Sequence, residues 1–202
     1  LHTAYRRQRQ MCIRDRGTTG ESPTLSHEEH KKVIEIAVKE SNGKIPVIAG
    51  TGSNSTSEAV DLSKYAEKAG SDALLVVTPY YNRPSQEGLY KHYSLIADEV
   101  DLPQILYNVP SRTGCDLLTE TVIKLVPHEN VVGLKDATGD LTRLEETLSQ
   151  LKVLEKNEFM LYSGDDPTST QFMLKGGSGT ISVTANVVPS HIAEICLSLI
   201  HI

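Results

Sequence analysis

No apolar run in the sequence exceeds the five residues Ala73-Leu74-Leu75-Val76-Val77, far short of the 18 or more that a membrane-spanning helix needs. Cationic excess is missing as well. Twenty Lys and Arg face 26 Asp and Glu, a formal net charge of −6 with a pI near 5.6, and that balance repels phosphate backbones and anionic lipid heads. Nucleic acid and membrane surfaces are therefore poor partners. Cysteine is scarce: Cys12, Cys115 and Cys196 are odd in number and far apart, which fits neither a disulfide framework nor a paired-cysteine metal knuckle. A reducing, cytoplasmic setting is expected. With 39% hydrophobic and 23% charged residues, and only 14 Gly and 9 Pro, the composition excludes collagen-like and disordered chains.

What is present reads as one folded domain, since 202 residues are close to the usual size of a single unit. The charge is unevenly placed. Residues 1–16 hold Arg6, Arg7, Arg9, Arg14 and Arg16 against Asp15 alone, leaving the remaining residues strongly acidic. No apolar core or small-residue cleavage site follows, so this segment does not read as a secretory signal. It is expected to be an unrelated Arg-rich leader, with the domain proper spanning 17–202.

From Ser26 onward amphipathic stretches alternate with short β-branched runs. Helical spacing of apolar residues predicts helices near 27–41, 56–69, 86–99, 117–126, 140–155, 167–175 and 189–202. Strands are predicted at Pro46 to Ala49, Ala73 to Thr78, Gln104 to Val109, Val131 to Lys135, Met160 to Ser163 and Thr180 to Thr184, all too apolar for one-sided exposure. Repeated βα units want a parallel sheet covered by helices. Polar and special residues collect where strands end, at Gly50-Thr51-Gly52, Thr78-Pro79-Tyr80-Tyr81, Tyr107-Asn108, Lys135-Asp136 and Ser163-Gly164-Asp165-Asp166. That is the rim on which (β/α)8 barrels build active sites. A doubly wound sheet is the alternative, but no GxGxxG follows the first predicted strand.

Lys135 closes the apolar run Val131-Val132-Gly133-Leu134, where desolvation should lower its pKa and leave an amine able to attack a ketone. A lysine reaching to water from a strand end is the plainer alternative. Tyr107 closes another strand and offers a phenol for proton transfer, or simply an amphipathic packing group. Thr18-Thr19 could give hydroxyls and backbone N–H groups to a carboxylate, or form an ordinary turn. Arg112, one of three arginines outside the leader, suits a substrate carboxylate as well as a surface salt bridge. His27 and His30 lack a third ligand at metal spacing, so no metal is expected. Gly176-Gly177-Ser178-Gly179 precedes a strand rather than a helix and reads as a helix-stop turn.

Five motifs in order carry a resemblance: Gly17-Thr18-Thr19-Gly20-Glu21-Ser22, Ala49-Gly50-Thr51-Gly52, Thr78-Pro79-Tyr80-Tyr81-Asn82-Arg83-Pro84, Tyr107-Asn108-Val109-Pro110-Ser111-Arg112-Thr113-Gly114 and Leu134-Lys135-Asp136-Ala137-Thr138-Gly139. From Gly17 to about Cys196 the chain resembles the dihydrodipicolinate synthase family of class I pyruvate-dependent aldolase barrels. The resemblance implies a cofactor-free and metal-free lyase that condenses pyruvate with L-aspartate 4-semialdehyde in lysine and diaminopimelate biosynthesis. It makes Lys135 the Schiff-base lysine and Tyr107, Thr19 and Tyr81 a proton relay, with Tyr81 reaching into a neighbouring subunit of a homotetramer. Thr18 and Thr19 correspond to binders of the pyruvate carboxylate, Arg112 to the holder of the semialdehyde carboxylate, and Gly164 and Ile181 to pocket-lining backbone. Ser22, His27, His30, Asn54, Glu58 and Tyr80 resemble the positions that bind L-lysine in feedback-inhibited members. N-acetylneuraminate lyases and 2-keto-3-deoxy-sugar aldolases share the lysine and the tyrosine. Arg112 and Tyr80-Tyr81 speak against them, since the sugar partner has no carboxylate for that arginine; a non-catalytic fragment is the other alternative.

Two departures set further expectations. Met11 to Arg16 lacks an apolar strand, and Leu197 to Ile202 matches the family poorly. The six predicted strands correspond to the third through eighth of an incomplete barrel, with the first βα unit and the C-terminal helical region missing. Such a fragment is expected to be inactive and poorly soluble.

Overall fold

The computed structural model describes residues 13–15 and 18–199, and of residues 13–15 and 18 the backbone alone. Its strands are β1 (Ile13–Asp15), β2 (Val47–Gly50), β3 (Ala73–Val77), β4 (Gln104–Asn108), β5 (Val131–Asp136), β6 (Met160–Ser163) and β7 (Gly179–Thr180). Between them run α1 (His27–Ser41), α2 (Thr56–Ala69), α3 (Gln86–Glu99), α4 (Pro110–Thr113), α5 (Thr119–Leu125), α6 (Leu141–Val153) and α7 (Ser169–Leu174), and α8 (Pro189–Leu199) follows β7. Every strand pairs in parallel with the next in chain order. An order that never reverses is a barrel wall rather than a doubly wound sheet. No pairing joins β1 to β7 among the described residues, so the wall is an incomplete (β/α)8 barrel, as the alternation of patterns predicts.

Local chemistry fixes the helix ends. Ser26 and Glu29 form a reciprocal capping box at the start of α1, the Ser26 N–H donating to the Glu29 carboxylate at 2.9 Å. Asp140 caps α6 by accepting from the Thr142 and Arg143 N–H groups at 2.9 and 3.4 Å. Each such cap satisfies donors that the first helical turn leaves unpaired. The strands split their side chains between two apolar layers. Leu74, Val76, Leu106, Leu134 and Leu161 pack outward with helix residues such as Ile34, Leu89, Ile96 and Leu144, whereas Leu75, Ile105, Tyr107 and Val109 form a separate inner cluster. At Gly133 the wall is too tight for a side chain, because a Cβ would stand 2.7 Å from the Met160 carbonyl oxygen.

Two segments differ from expectation. Residues 1–16 were expected to lie outside the barrel, yet Ile13–Asp15 pairs with β2, with Ile13 opposite Val47 and Asp15 opposite Ala49. Backbone pairing beside an existing strand needs no apolar alternation, which is why an Arg-rich segment can supply it; the wall therefore has seven strands, not six. At the other end the strand expected over Thr180 to Thr184 stops at Thr180. Asp166 causes this. Its carboxylate accepts from the Val183 N–H at 3.1 Å and from the Thr184 N–H and hydroxyl at 2.8 and 2.6 Å, drawing the chain into the 3-10 turn Thr184–Asn186. No helix among the described residues is long and apolar enough to cross a membrane.

One buried group makes the fold pH-sensitive. His92 on α3 is 4% exposed; its Nδ1 meets the Thr56 hydroxyl at 2.9 Å, and its Nε2 has no partner. Burial lowers its pKa from 6.5 to about 4. Between those values the unfolded chain binds a proton that the folded chain excludes, so stability falls as pH drops through this window, by at most about 1.4 kcal/mol per pH unit. Replacing His92 by Phe is expected to flatten the decline measured by urea unfolding between pH 6.5 and 4. An unchanged slope would contradict this assignment.

Candidate active site

The site begins with a register. Tyr107 on β4 lies opposite Lys135 on β5, and Lys135 in turn lies opposite Tyr162 on β6. Residues paired across parallel strands share a face, so lysine and both tyrosines belong to the inner side of the wall, where Tyr107 and Tyr162 pack together with the inner cluster. Lys135 is 1% exposed, and its Nζ stands 4.0 Å from the centroid of the Tyr107 ring. Gly164, immediately beyond β6, leaves the room this lysine needs. A Cβ there would fall 2.6 Å from the Lys135 Cε and 2.8 Å from the Ala137 Cβ. The Gly164 N–H donates to the Asp136 carbonyl at 2.7 Å and the buried Ile181 donates its N–H to Ser163 at 2.8 Å, so both expected backbone positions are tied to the same rim.

Opposite this face, the next residues along the strands carry a network that sequence reasoning missed. Asn108 and Asp136, paired in register, are buried. Asn108 donates to Asp116 at 2.8 Å and accepts from the Leu117 N–H at 3.0 Å. Arg143 grips Asp116 through two hydrogen bonds of 2.8 and 2.7 Å and lies 3.8 Å from Asp136. Burial pushes the Asp136 carboxyl up, opposed by hydrogen bonds with Thr138 and the charge of Arg143. Asp116 is held below the usual range, because the hydrogen bonds from Arg143 and Asn108 outweigh its own burial. The available signal was an uncharged polar Asn108 closing the strand after Ile105-Leu106-Tyr107, since buried polar groups need partners.

The remaining expected residues take separate places. Thr19 is exposed in the 3-10 turn Thr18–Gly20, and the side chain of Thr18 lies outside the described residues. Tyr81 is 89% exposed and held at φ +73°, a left-handed conformation uncommon for a side-chain-bearing residue. Arg112 is exposed on α4. Close by, the Arg83 guanidinium lies over Gly114, where a Cβ would meet its Nε at 2.9 Å.

A cleft of about 100 Å³ opens among Ser22, His27, His30, Glu58 and Tyr80. Its charged wall is internally paired: His27 Nε2 lies 2.7 Å from Glu58, which also accepts from the Ser53 hydroxyl. His30 Nε2 is 2.8 Å from the Gly50 carbonyl. The two histidines thus face different partners. Asn54 is not among the lining residues; its carbonyl accepts from the Asn82 amide at 3.0 Å.

The Dihydrodipicolinate synthetase family profile matches residues 12–200, beginning within the segment expected to be a leader. The chain is 58% identical over 180 residues to a 4-hydroxy-tetrahydrodipicolinate synthase of Pseudomonas putida, covering 89% of this chain and 60% of that relative. It therefore spans about three fifths of the length of such curated relatives. Among solved structures it resembles a chloride-inhibited dihydrodipicolinate synthase from Acinetobacter baumannii complexed with pyruvate, at 50% identity and TM-score 0.89 over 96% of this chain and 65% of that one. The Aquifex aeolicus dihydrodipicolinate synthase gives 46% identity and TM-score 0.90 over 94% and 64%. Sharing both sequence and barrel wall with these proteins across nearly all of its described residues, the chain belongs to the dihydrodipicolinate synthetase family.

Proposed function

We propose that Lys135 forms an imine with pyruvate and that the resulting enamine attacks L-aspartate 4-semialdehyde, the reaction of a 4-hydroxy-tetrahydrodipicolinate synthase in lysine and diaminopimelate biosynthesis. The observation that carries this reading is the buried Lys135 amine standing 4.0 Å from the Tyr107 ring on the inner face of the wall. The pyruvate complex of the Acinetobacter relative supports the choice of keto acid.

In the proposed sequence the neutral amine adds to C2 of pyruvate, and loss of water leaves a protonated imine. That electron sink lets the methyl carbon give up a proton and become the enamine nucleophile. Carbon–carbon bond formation leaves an alkoxide on the former aldehyde, which takes a proton from the Tyr107 relay. The amino group of the semialdehyde then closes onto C2 and expels Lys135. Thr19 and the partner subunit's Tyr81 complete the relay, Thr18 and Thr19 hold the pyruvate carboxylate, and Arg112 holds that of the semialdehyde. Gly164 and Ile181 line the pocket. None of these steps calls for a cofactor or metal.

An exposed Tyr81 fits a residue that serves a neighbouring subunit, and the full condensation is proposed for a cytoplasmic homotetramer of subunits as long as the curated relatives. For the 202-residue chain alone we expect at least about 10²-fold slower turnover, because a displacement of about 1 Å in a relay group costs that much. Among the described residues the outer edges of β1 and β7 carry no further strand, which favours association over solubility. The amine, the ring beside it and the space for it come from β4, β5 and β6, so imine formation is expected to persist at high pyruvate even with the Thr18 and Thr19 hold on the carboxylate weakened.

The cleft beside Glu58 is proposed to bind L-lysine as a feedback inhibitor. Glu58 would hold an ammonium group of the ligand, Tyr80 and Asn54 its carboxylate, and Ser22, His27 and His30 the walls.

Two measurements check these readings. Borohydride reduction in the presence of pyruvate should leave an adduct on Lys135, located by peptide mass spectrometry, and Gly164→Ala should slow its formation at least about tenfold by displacing the Lys135 side chain. An adduct on another lysine, or a Gly164→Ala rate equal to that of the unsubstituted chain, would contradict the site. Titration calorimetry should show heat of L-lysine binding that Glu58→Gln weakens at least about tenfold. The lysine reading falls if the unsubstituted protein gives no heat.

A further inference from the structure

We propose that Arg143 is a positioning residue for Lys135 and Tyr107, tying the ends of β5 and β4 together from the side of the wall opposite the pocket. The inference rests on reading Lys135 as the imine-forming amine. Side chains alternate along a strand, so Asp136 and Asn108 leave the wall on the opposite face from Lys135 and Tyr107. Each is also the immediate chain neighbour of the residue it would hold. Asn108 is fully buried and Asp136 is 8% exposed; Asp136 accepts from the Thr138 N–H at 2.9 Å and faces the Arg143 guanidinium, and Asn108 is joined to that guanidinium through Asp116 and Leu117.

Arg143 sits in the first turn of α6, where its own N–H is capped by Asp140 at 3.4 Å. Its two terminal nitrogens donate to both oxygens of Asp116 at 2.8 and 2.7 Å, and one of them also donates to the Leu117 carbonyl at 3.1 Å. Its Nε faces Asp136 at 3.8 Å. Asp116 and Leu117 in turn hold the Asn108 amide from both sides, at 2.8 and 3.0 Å. One planar cation thus connects α6, the end of β5, the segment before α5 and the end of β4. A lysine brings the charge but not the fork that grips both oxygens of Asp116 while a third nitrogen turns to Asp136. Movement of either strand end shifts the Cα atoms on which Lys135 and Tyr107 are mounted, and reaction rates are steep in such shifts.

The test compares Arg143→Met and Arg143→Lys with the unsubstituted chain in two reactions of Lys135. The first is pyruvate-dependent trapping by borohydride. At saturating pyruvate the trapping rate of Arg143→Met should fall about 10- to 100-fold, while the pyruvate concentration for half-maximal rate stays within about threefold. Arg143→Lys should lie between. The second is reductive methylation with formaldehyde and cyanoborohydride, which needs no pyruvate pocket. Loosened strand ends expose the buried amine, so methylation of Lys135 relative to exposed Lys91 should rise at least about fivefold in Arg143→Met.

Folded variants whose trapping and methylation rates match those of the unsubstituted chain would overturn the proposal. So would loss of the helical circular-dichroism signal in both variants, or in Arg143→Met alone with Arg143→Lys normal in both reactions, since Arg143 would then serve the fold rather than the site. If the unsubstituted chain forms no pyruvate adduct, the imine reading fails by itself, and the methylation ratio still decides the role of Arg143.

Discussion

The hydrogen-bonded register between β4 and β5 sets Tyr107 against Lys135 and, one residue further, Asn108 against Asp136. Because the side-chain period of a strand is two, these consecutive pairs must face opposite ways. One ladder therefore builds the chemical face and its support together. A slip of one residue would send Lys135 into the helical layer and Asp136 into the pocket. Much of the surrounding packing guards against that slip: Leu106 and Leu134 anchor the outer apolar layer, Ile105 and Val109 the inner one, and Gly133 lets β5 approach β6 more closely than any side chain would allow.

The same alternation explains how a charged side chain is accommodated inside an apolar wall. Burying a lysine side chain is costly, and here its Nζ lies over the Tyr107 ring, a contact that offsets part of that cost whenever the amine is protonated. The space it occupies exists because residue 164 has no side chain. Burial, ring contact and missing Cβ come from three different strand ends, β5, β4 and β6. The site is thus a property of the curled sheet and not of any single motif.

Much of this was legible in the sequence, for identifiable reasons. Ser26 with Glu29 and Asp140 before an amphipathic run mark helix starts by capping chemistry, and the helices at α1 and α6 begin where those signals stand. Uninterrupted apolar runs located β3 to β6, and a lysine closing such a run directed attention to Lys135. Ile13–Asp15 escaped because its strand character comes from pairing with β2 and not from its own composition. The strand expected over Thr180 to Thr184 came out too long because Asp166, some 14 residues upstream of Thr180, captures the following backbone. Asn108, Asp116, Asp136 and Arg143 are scattered along the chain and share no local spacing. Only folding brings them together. Ser22, His27, His30, Glu58 and Tyr80, five of the six residues grouped by resemblance, line one cleft while Asn54 does not, and the close contact between His27 and Glu58 on its wall has no counterpart in sequence pattern.

The central claim is that the β4–β5 register presents one amine and one phenol to the same keto acid. A crystal structure of the protein soaked with pyruvate tests it most directly. The account predicts continuous density from Lys135 Nζ to C2 of pyruvate, with the Tyr107 hydroxyl on the same side of the wall and within hydrogen-bonding reach of the adduct. Pyruvate bound to a different lysine, or an adduct at Lys135 with the Tyr107 side chain turned into the outer layer, would contradict it.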